Sequence, residues 1–274
     1  MMKIPISYLR SLGIRLTSYI DDSLIAGKDA QSCSKNVSLT HNIFKSLGFT
    51  INFEKSHIVP SQTIVYLGFI WDTLSMTISL PQDKVIKIIS LSQFIVRKNK
   101  VSLRKLASLI GLYVSAFPAV LLGKFYYRCL EKAKIEGLRQ FNSFEAHILL
   151  PEAAREEIFW WINNISLQNG RAIKEPPIFK TIFTDASNSG WGAWCDFNYV
   201  SGFWSENDKS FHINFLELKA ILLALLTLAE DFENVHLAIK SDNSTAVAYI
   251  NNMGGIRSVE LNNLSKQIWL WCWY

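Results

Sequence analysis

Hydrophobic and polar positions change their spacing after residue 178, which separates two parts of the chain. Three β-prone runs, 179–187, 190–197 and 199–205, are divided by short turns and predict an antiparallel meander. The elements predicted after them are a helix over 214–230, a strand over 236–241, a helix over 244–253 and a last helix from Val259. Strands followed by mixed helices and strands indicate an α/β fold in which helices cover a mixed sheet.

The first part of the chain combines one hairpin pattern with several helical patterns. Residues 15–27 place two adjacent acids between β-prone runs, which predicts a hairpin whose turn is formed by Asp21 and Asp22. Apolar residues three or four positions apart predict amphipathic helices over 83–89 and 102–111, the second ending at Gly111. The predicted regions are 1–80 with the hairpin, the helical region 81–167, a polar linker with Gly and Pro at 168–178, and the α/β region 179–274.

Composition and charge narrow the class of protein. Apolar residues make up 49% of the sequence and charged residues 19%, which is typical of a globular chain. Residues 83–140 contain twelve Lys or Arg and three acids, a net charge of +9, whereas residues 181–274 contain five and ten, a net charge of −5. The basic segment indicates a surface for a polyanion beside an acidic, cation-binding end. The alternative is that these lysines are the solvated faces of ordinary helices.

The four cysteines lie too far apart for a metal-binding or redox CxxC pattern, which predicts reduced thiols. The longest uncharged apolar-rich run, 220–229, is about half of the ~20 residues that a membrane span requires, so we predict a buried helix and no membrane association. The first residues lack the apolar core and cleavage site of a signal peptide. We therefore expect an intracellular protein, cytoplasmic or nuclear, that is not secreted, and the pattern leaves its oligomeric state open.

Three acids, Asp185, Glu217 and Asp242, each end or interrupt an apolar pattern that would otherwise continue. Glu217 stands on a helix that is apolar almost all round, where an unpaired carboxylate costs several kcal/mol unless a cation or a donor meets it. Carboxylates are the hard oxygen ligands that Mg²⁺ prefers. The alternatives are strand-end caps for the two aspartates and a solvated helix residue for Glu217.

Three fragments resemble the segments in which ribonuclease H enzymes carry catalytic carboxylates. They are Thr-Asp-Ala-Ser (184–187), Leu-Glu-Leu-Lys-Ala (216–220) and Ser-Asp-Asn (241–243). The resemblance implies a ribonuclease H-like mixed five-stranded sheet with flanking helices. It also implies two Mg²⁺ ions, with Mn²⁺ as a substitute, for hydrolysis of the RNA strand of RNA:DNA hybrids. In that arrangement Asp185 bridges both ions, Glu217 holds the leaving-group side and Asp242 holds the nucleophile side.

Recognition of RNA by a ribonuclease H requires contacts to 2′-hydroxyls, the groups that distinguish RNA from DNA. The candidates beside Asp185 and after Asp242 are Ser187, Asn188, Gly190, Asn243 and Thr245. Members of the family carry a fourth acid after the last helix, often preceded by a mobile His, and neither occurs before Tyr274. We expect their absence to affect metal affinity and turnover.

The segment Tyr-Ile-Asp-Asp (19–22) resembles the Tyr-x-Asp-Asp signature of reverse transcriptases. Asp21 and Asp22 would then be polymerase carboxylates, and Asp21 would face a metal site. Tyr19 would lie on the same face and contact the template-primer duplex. The alternative is an Asp-rich turn. Polymerases of this kind also need a carboxylate from an earlier strand, and no acid precedes Asp21. The chain alone is therefore expected not to synthesise DNA.

The segments that follow the hairpin resemble the end of a reverse transcriptase palm. A predicted helix over 31–47 leads to Asn-Phe-Glu-Lys-Ser (52–56) and to a strand pair around Tyr-Leu-Gly-Phe (66–69). The resemblance implies that Lys55 is the palm lysine and that Gly68 lies in the primer-grip hairpin. Residues 1–80 would be the C-terminal part of the palm.

The basic helices of the region 81–167 resemble the thumb and connection of a reverse transcriptase, which follow the backbone of the template-primer duplex. The predicted phosphate contacts are Arg97, Lys98, Lys100, Arg104 and Lys105. Three segments resemble the connecting region of DIRS-type retrotransposons more than that of retroviruses. They are 116–119, 127–132 and the helix over 152–165. Within that helix, Trp160 and Trp161 are predicted to pack in the core and not to stack on bases.

Three hypotheses follow. The first is a fragment of a retroelement polyprotein whose ribonuclease H domain cleaves RNA in hybrids, with the missing parts supplied by a longer chain. The second is a catalytically inactive, nucleic-acid-binding remnant of such a polyprotein. The third is an aspartate-based phosphotransferase or nuclease of other specificity on the same fold.

Overall fold

The computed structural model describes residues 2 to 273, which form two compact units that follow one another at Pro81 and Gln82. Helices contain 49% of the residues and strands 20%, so the predicted α/β fold class is confirmed. Each unit has a buried apolar core of its own. None of the helices described is both long enough and apolar enough to cross a membrane.

The first unit is built from short hairpins and two helices. Its elements are α1 (Lys3–Ser11), β1 (Arg15–Tyr19), β2 (Asp22–Ala26), α2 (Ala30–Ser46), β3 (Thr63–Tyr66), β4 (Phe69–Asp72) and β5 (Thr77–Ser79). A capping box begins α2, because the Asp29 carboxylate accepts a hydrogen bond from the Ser32 N–H at 2.7 Å and the Ser32 hydroxyl accepts one from the Asp29 N–H. The buried core is formed by Leu9, Ile14, Leu16 and Phe44.

The hairpin β1–β2 has its turn one residue earlier than predicted. Tyr19 pairs with Asp22, so Ile20 and Asp21 form the two-residue turn, and Ile20 has a φ of 54°. Cross-strand partners lie on the same face of the ribbon, so Asp22, and not Asp21, lies beside Tyr19. The prediction was wrong because no glycine or Asn-Gly pair marks the turn in this sequence.

The hairpin β3–β4 agrees with the predicted strand pair. Tyr66 pairs with Phe69, and the turn between them is formed by Leu67 and Gly68 with φ angles of 52° and 74°. Two-residue hairpin turns of type I′ require positive φ at both positions, which glycine adopts without a steric penalty. Gly68 therefore allows this turn.

The second unit begins with a helical part. Its elements are α3 (Gln82–Val96), β6 (Lys100–Ser102), α4 (Leu103–Ala116), α5 (Arg128–Phe141), β7 (His147–Leu149) and α6 (Glu152–Asn164). The predicted end of α4 at Gly111 is wrong, because the helix continues to Ala116. Tyr113 and Ala116 are fully buried there, and their packing outweighs the cost of about 1 kcal/mol that a glycine adds to a helix interior.

The tryptophan pair of α6 packs inside this helical part, as predicted. Trp161 is fully buried and stacks on Tyr113 with ring centroids 4.2 Å apart. Trp160 stacks on Tyr126 at 4.0 Å. The indole N–H of Trp161 donates a hydrogen bond to the carbonyl of Tyr126 at 2.8 Å, which satisfies its polar atom.

The rest of the second unit contains a four-stranded sheet. After β8 (Arg171–Ala172), which lies inside the predicted linker, the elements are β9 (Ile178–Ala186), β10 (Gly190–Cys195), β11 (Asn198–Phe203), α7 (Ile213–Leu228), β12 (His236–Lys240), α8 (Ser244–Asn251) and α9 (Val259–Trp273). The strand order is β11-β10-β9-β12, with the predicted antiparallel meander and with β12 parallel to β9. The expectation of five strands is wrong for residues 2–273, because the chain after β12 is helical.

Helix α7 is apolar on almost every side because the sheet and the helices α8 and α9 pack against most of its surface. Leu218, Ile221 and Leu225 belong to a core cluster that includes Ile182 of β9 and residues of α8 and α9. Each such buried side chain contributes about 1.5–3 kcal/mol. This packing holds Glu217 inside the protein, with 4% of its surface exposed.

Candidate active site

Asp185 and Asp242 lie together because Asp185 is near the end of β9 and Asp242 comes just after β12, its parallel neighbour. The last paired residues of β9 and β12 are Phe183 and Lys240. Each aspartate comes two residues later in its segment. Since the carboxyl ends of parallel strands meet at one edge of a sheet, both side chains reach the same place.

Glu217, on α7, lies next to these two aspartates. One carboxylate oxygen from each of Asp185, Glu217 and Asp242 lies within 4.8 Å of the other two. The two aspartates are exposed and the glutamate is buried. Among residues 2 to 273, no other three His, Cys, Asp or Glu side chains come together in this way.

Burial, together with the negative charges of Asp185 and Asp242, raises the pKa of Glu217 to about 7. Hydrogen bonds from the backbone of Ala186 and the side chain of Ser241 offset part of this increase. Oε2 of Glu217 is buried and has no hydrogen-bond partner within the described residues. Ionising this group is therefore unfavourable unless a cation is present.

The three carboxylates fit a divalent metal ion. They supply only hard oxygen ligands, which Mg²⁺ and Mn²⁺ bind, and Oε2 of Glu217 is a buried acceptor that a cation would satisfy. Asp185 and Asp242 would complete such a site from the solvent side. The arrangement can bind a cation and place it against an anionic substrate.

The turn after Asp185 is fixed by a buried tryptophan. The indole N–H of Trp204 donates a hydrogen bond to the carbonyl of Ser187 at 2.7 Å, and the Ser187 N–H donates one to the carbonyl of Gly190 at 2.8 Å. Trp204 is 4% exposed and packs against Leu216 of α7. Ser187 and Gly190 thus belong to a rigid turn next to the carboxylates, and Asn188 is exposed at its tip.

The residues after Asp242 are also held in place. Asn243 caps α8 by accepting a hydrogen bond from the Ala246 N–H at 2.9 Å, and its amide group donates one to Oδ1 of Asn214 at 3.0 Å. Thr245, in the first turn of α8, is half-buried. Sequence reasoning missed Asn214 and Ser241. Asn214 could have been found, because it lies three residues before Glu217 and thus on the same face of α7.

An open groove of about 820 Å³ borders the carboxylates. Besides Asp185 and Asp242 it is lined by side chains that the strand register places in one row across the sheet: Lys240, Phe183, Trp194 and Tyr199. The rings of Phe183 and Trp194 stack with centroids 4.8 Å apart. The groove gives a substrate access to the two aspartates, and none of these four side chains was predicted.

The other predicted site residues are not members of the group formed by the three carboxylates. Those of the first unit are exposed: Tyr19, Asp21, Asp22, Lys55 and Gly68. Lys55 ends a short 3₁₀ helix that Asn52 caps. The predicted phosphate contacts of the second unit are exposed as well: Arg97, Lys98, Lys100, Arg104 and Lys105.

Solved structures similar to this chain include foamy viral protease-reverse transcriptases. A foamy viral protease-reverse transcriptase in complex with an RNA/DNA hybrid superimposes with a TM-score of 0.52 at 13% identity, over 96% of this chain and 35% of that chain. The chain thus spans about a third of that protein. This chain has a reverse transcriptase/ribonuclease H-like fold.

Two further structures of the foamy viral protein with double-stranded DNA have lower TM-scores. One reaches 0.49 at 13% identity over 88% of this chain and 50% of that chain, and the other reaches 0.47 at 11% identity over 97% and 46%. No protein-family model matches the sequence, and no curated protein matches it.

Proposed function

We propose that this chain hydrolyses the RNA strand of RNA:DNA hybrids, using divalent ions held by Asp185, Glu217 and Asp242. The observation that carries the proposal is the convergence of three carboxylates, with one oxygen of each within 4.8 Å of the others, where Oε2 of the buried Glu217 has no hydrogen-bond partner. The fold, which is like that of a reverse transcriptase solved with an RNA/DNA hybrid, supports this substrate.

The carboxylates of the site bind the metal ions, and other side chains position the nucleic acid. Mg²⁺, or Mn²⁺ in its place, would activate the attacking water and stabilise the departing 3′ oxygen of the RNA. Asp185 and Asp242 are exposed at the groove and face the substrate, whereas Glu217 is held from below by α7. The exposed basic residues near the end of α3 and the start of α4 contact phosphates without regard to sequence. The turn that contains Ser187, Asn188 and Gly190 and the start of α8 contact the 2′-hydroxyls.

The function is tested with a labelled RNA:DNA hybrid in the presence of Mg²⁺. The wild-type chain is expected to cleave the RNA strand and to leave RNA:RNA and DNA:DNA duplexes intact. Asp185→Asn is expected to abolish cleavage and to retain hybrid binding, because it removes a ligand charge without changing the size of the side chain. Binding by the wild type without cleavage would contradict the proposal and favour a non-catalytic nucleic-acid-binding protein.

We further infer that the chain derives from a retroelement polyprotein of the DIRS type, in which a palm segment, basic helices and a ribonuclease H-like domain follow one another. The motifs at 19–22 and 66–69 support a reverse transcriptase origin, and the DIRS type is supported by the segments 116–119 and 127–132 and the helix over 152–165. The palm carboxylates Asp21 and Asp22 take no part in the proposed reaction. Within residues 2 to 273 they belong to no group of three metal-ligating side chains.

A further inference from the structure

One exposed aromatic ring lies among the basic residues of the helical part. Phe94, in the last turn of α3, is 41% exposed. The Nζ atom of Lys105 lies 4.3 Å from the centroid of its ring, and that of Lys98 lies 5.3 Å from it. We call these three side chains the Phe94 patch. Sequence reasoning identified its two lysines and missed the ring between them.

The charges of the Phe94 patch are available to a ligand. Among the described residues, no carboxylate oxygen lies within 4.0 Å of the ammonium group of Lys98 or Lys105. Arg97 and Lys100 are exposed in the same segment. The patch therefore attracts phosphates.

The backbone that carries the Phe94 patch is rigid. The guanidinium group of Arg155 donates hydrogen bonds to the carbonyls of Val96 at 2.7 Å and Lys98 at 3.1 Å, which fixes the chain just after α3. Ile95, the residue next to Phe94, is fully buried. A ligand on this surface thus meets an ordered backbone, and less backbone freedom is lost on binding.

The aromatic ring distinguishes between two kinds of nucleic acid. A continuous duplex offers phosphates and groove edges, while the faces of its bases are stacked inside. An unpaired nucleotide offers a base face as well, and cations with an exposed aromatic ring are the combination by which proteins bind single strands. Base stacking on a ring is worth more than an exposed cation–π contact, so a base can replace the ammonium groups, which then move to the phosphates.

We propose that the Phe94 patch binds unpaired nucleotides next to the hybrid, with a base stacked on Phe94 and flanking phosphates on Lys98 and Lys105. This inference rests on the proposed nucleic-acid function and adds a single-stranded partner to it. It assigns to the helical part a preference for hybrids that carry a single-stranded tail.

The test is the affinity for a fluorescein-labelled RNA:DNA hybrid with a single-stranded DNA tail, compared with the same hybrid with blunt ends. Anisotropy is measured without divalent ions, so that nothing is cleaved. Phe94→Ala is expected to weaken binding of the tailed hybrid by about tenfold and to leave blunt-hybrid binding unchanged. Phe94→Trp, which keeps a ring, should bind the tailed hybrid at least as well as the wild type.

Phe159→Ala is the matched control, since Phe159 is a helical phenylalanine of similar exposure, 47%, and should affect neither ligand. Equal weakening of both ligands by Phe94→Ala, or an unchanged affinity for the tailed hybrid, would overturn the proposal. Cleavage of the blunt hybrid with Mg²⁺ is measured in parallel. Its absence in the wild type contradicts the proposed function alone, because the tail dependence of binding is read without the metal.

Discussion

The side-chain amide of Asn243 donates a hydrogen bond to Oδ1 of Asn214 at 3.0 Å. This contact joins the cap of α8 to the first turn of α7. Asp242 directly precedes Asn243, and Glu217 follows Asn214 by a single helical turn. The distance between two of the three carboxylates is therefore set in part by a pair of neutral amides.

Replacing Asn243 by Ala is expected to lower the free energy of unfolding by roughly 1–2 kcal/mol, because both the helix cap and the bond to Asn214 are lost. Urea unfolding followed by circular dichroism measures this. Asn243→Ser keeps an N-cap acceptor for the Ala246 N–H, adds no charge beside Asp242 and loses the donor to Asn214, so its loss should be smaller. Equal destabilisation by the two substitutions would contradict a contribution of the helix cap, and an unchanged stability of the second variant would contradict a contribution of the amide pair.

Glu217→Gln is expected to stabilise the metal-free protein at pH 8 and to abolish its response to metal. The pKa of Glu217 is about 7, so the group is charged at pH 8 and repelled by Asp185 and Asp242, and removing that charge should contribute roughly 1–3 kcal/mol. Mg²⁺ should raise the Tm of the wild type and leave that of the variant unchanged. Thermal unfolding with and without Mg²⁺ checks both statements. A Tm increase of equal size in the variant would show that the ion binds elsewhere.

Glu157 is expected to make stability fall as pH rises from about 4.5 to above 7. Burial raises the pKa of Glu157 to about 7, although its carboxylate accepts hydrogen bonds from the Cys129 N–H at 2.9 Å and the Leu130 N–H at 3.0 Å. A raised carboxyl pKa means that the native state binds the proton more tightly. The stabilisation is complete below the unfolded pKa and is lost as pH passes the folded one, by roughly 2–3 kcal/mol.

This pH dependence is checked by urea unfolding of the wild type and of Glu157→Gln at pH 5 and pH 8. Glu217 contributes in the same direction, so the comparison uses the difference between the two proteins and not the wild-type slope alone. The variant should lose less stability over this interval than the wild type. Parallel curves would contradict a role of Glu157.

Arg128→Lys is expected to lower the free energy of unfolding by roughly 1.5–3 kcal/mol. The Nη2 atom of Arg128 donates to the carbonyls of Asn252, Met253 and Gly254 at distances of 3.0 to 3.4 Å, and Nη1 donates to the Tyr127 hydroxyl at 2.7 Å. A lysine ammonium is a single nitrogen, so it cannot occupy the positions of both Nη1 and Nη2 and must give up either the Tyr127 hydroxyl or the three carbonyls. Chemical denaturation measures the change.

Arg139→Lys serves as the control for Arg128→Lys, because Arg139 is exposed on the same helix and should tolerate the change. A similar loss in both variants would mean that the spread of acceptors around Arg128 contributes nothing. A loss confined to Arg128→Lys would locate the stabilisation at the contact between α5 and the end of α8.

Local chemistry in the sequence predicted most elements of the fold. The α/β class and the antiparallel meander each depend on residues close in sequence, whose side chains and backbone preferences act directly on each other. The same holds for the identity of the three acids, since each interrupts an apolar pattern. Where local signals were weak, as at Ile20 and Asp21, the prediction was off by one residue.

Contacts between distant segments decided the rest. The helix containing Gly111 ends at Ala116 because Tyr113 and Ala116 have partners in the core, which no local pattern reports. The row of aromatic side chains beside Lys240 and the ring of Phe94 between two lysines are likewise products of register and packing. The sequence by itself determined which carboxylates are present. Only the parallel pairing of β12 with β9 decided that Asp242 meets Asp185, because hydrogen bonding between strands some fifty residues apart depends on the whole sheet.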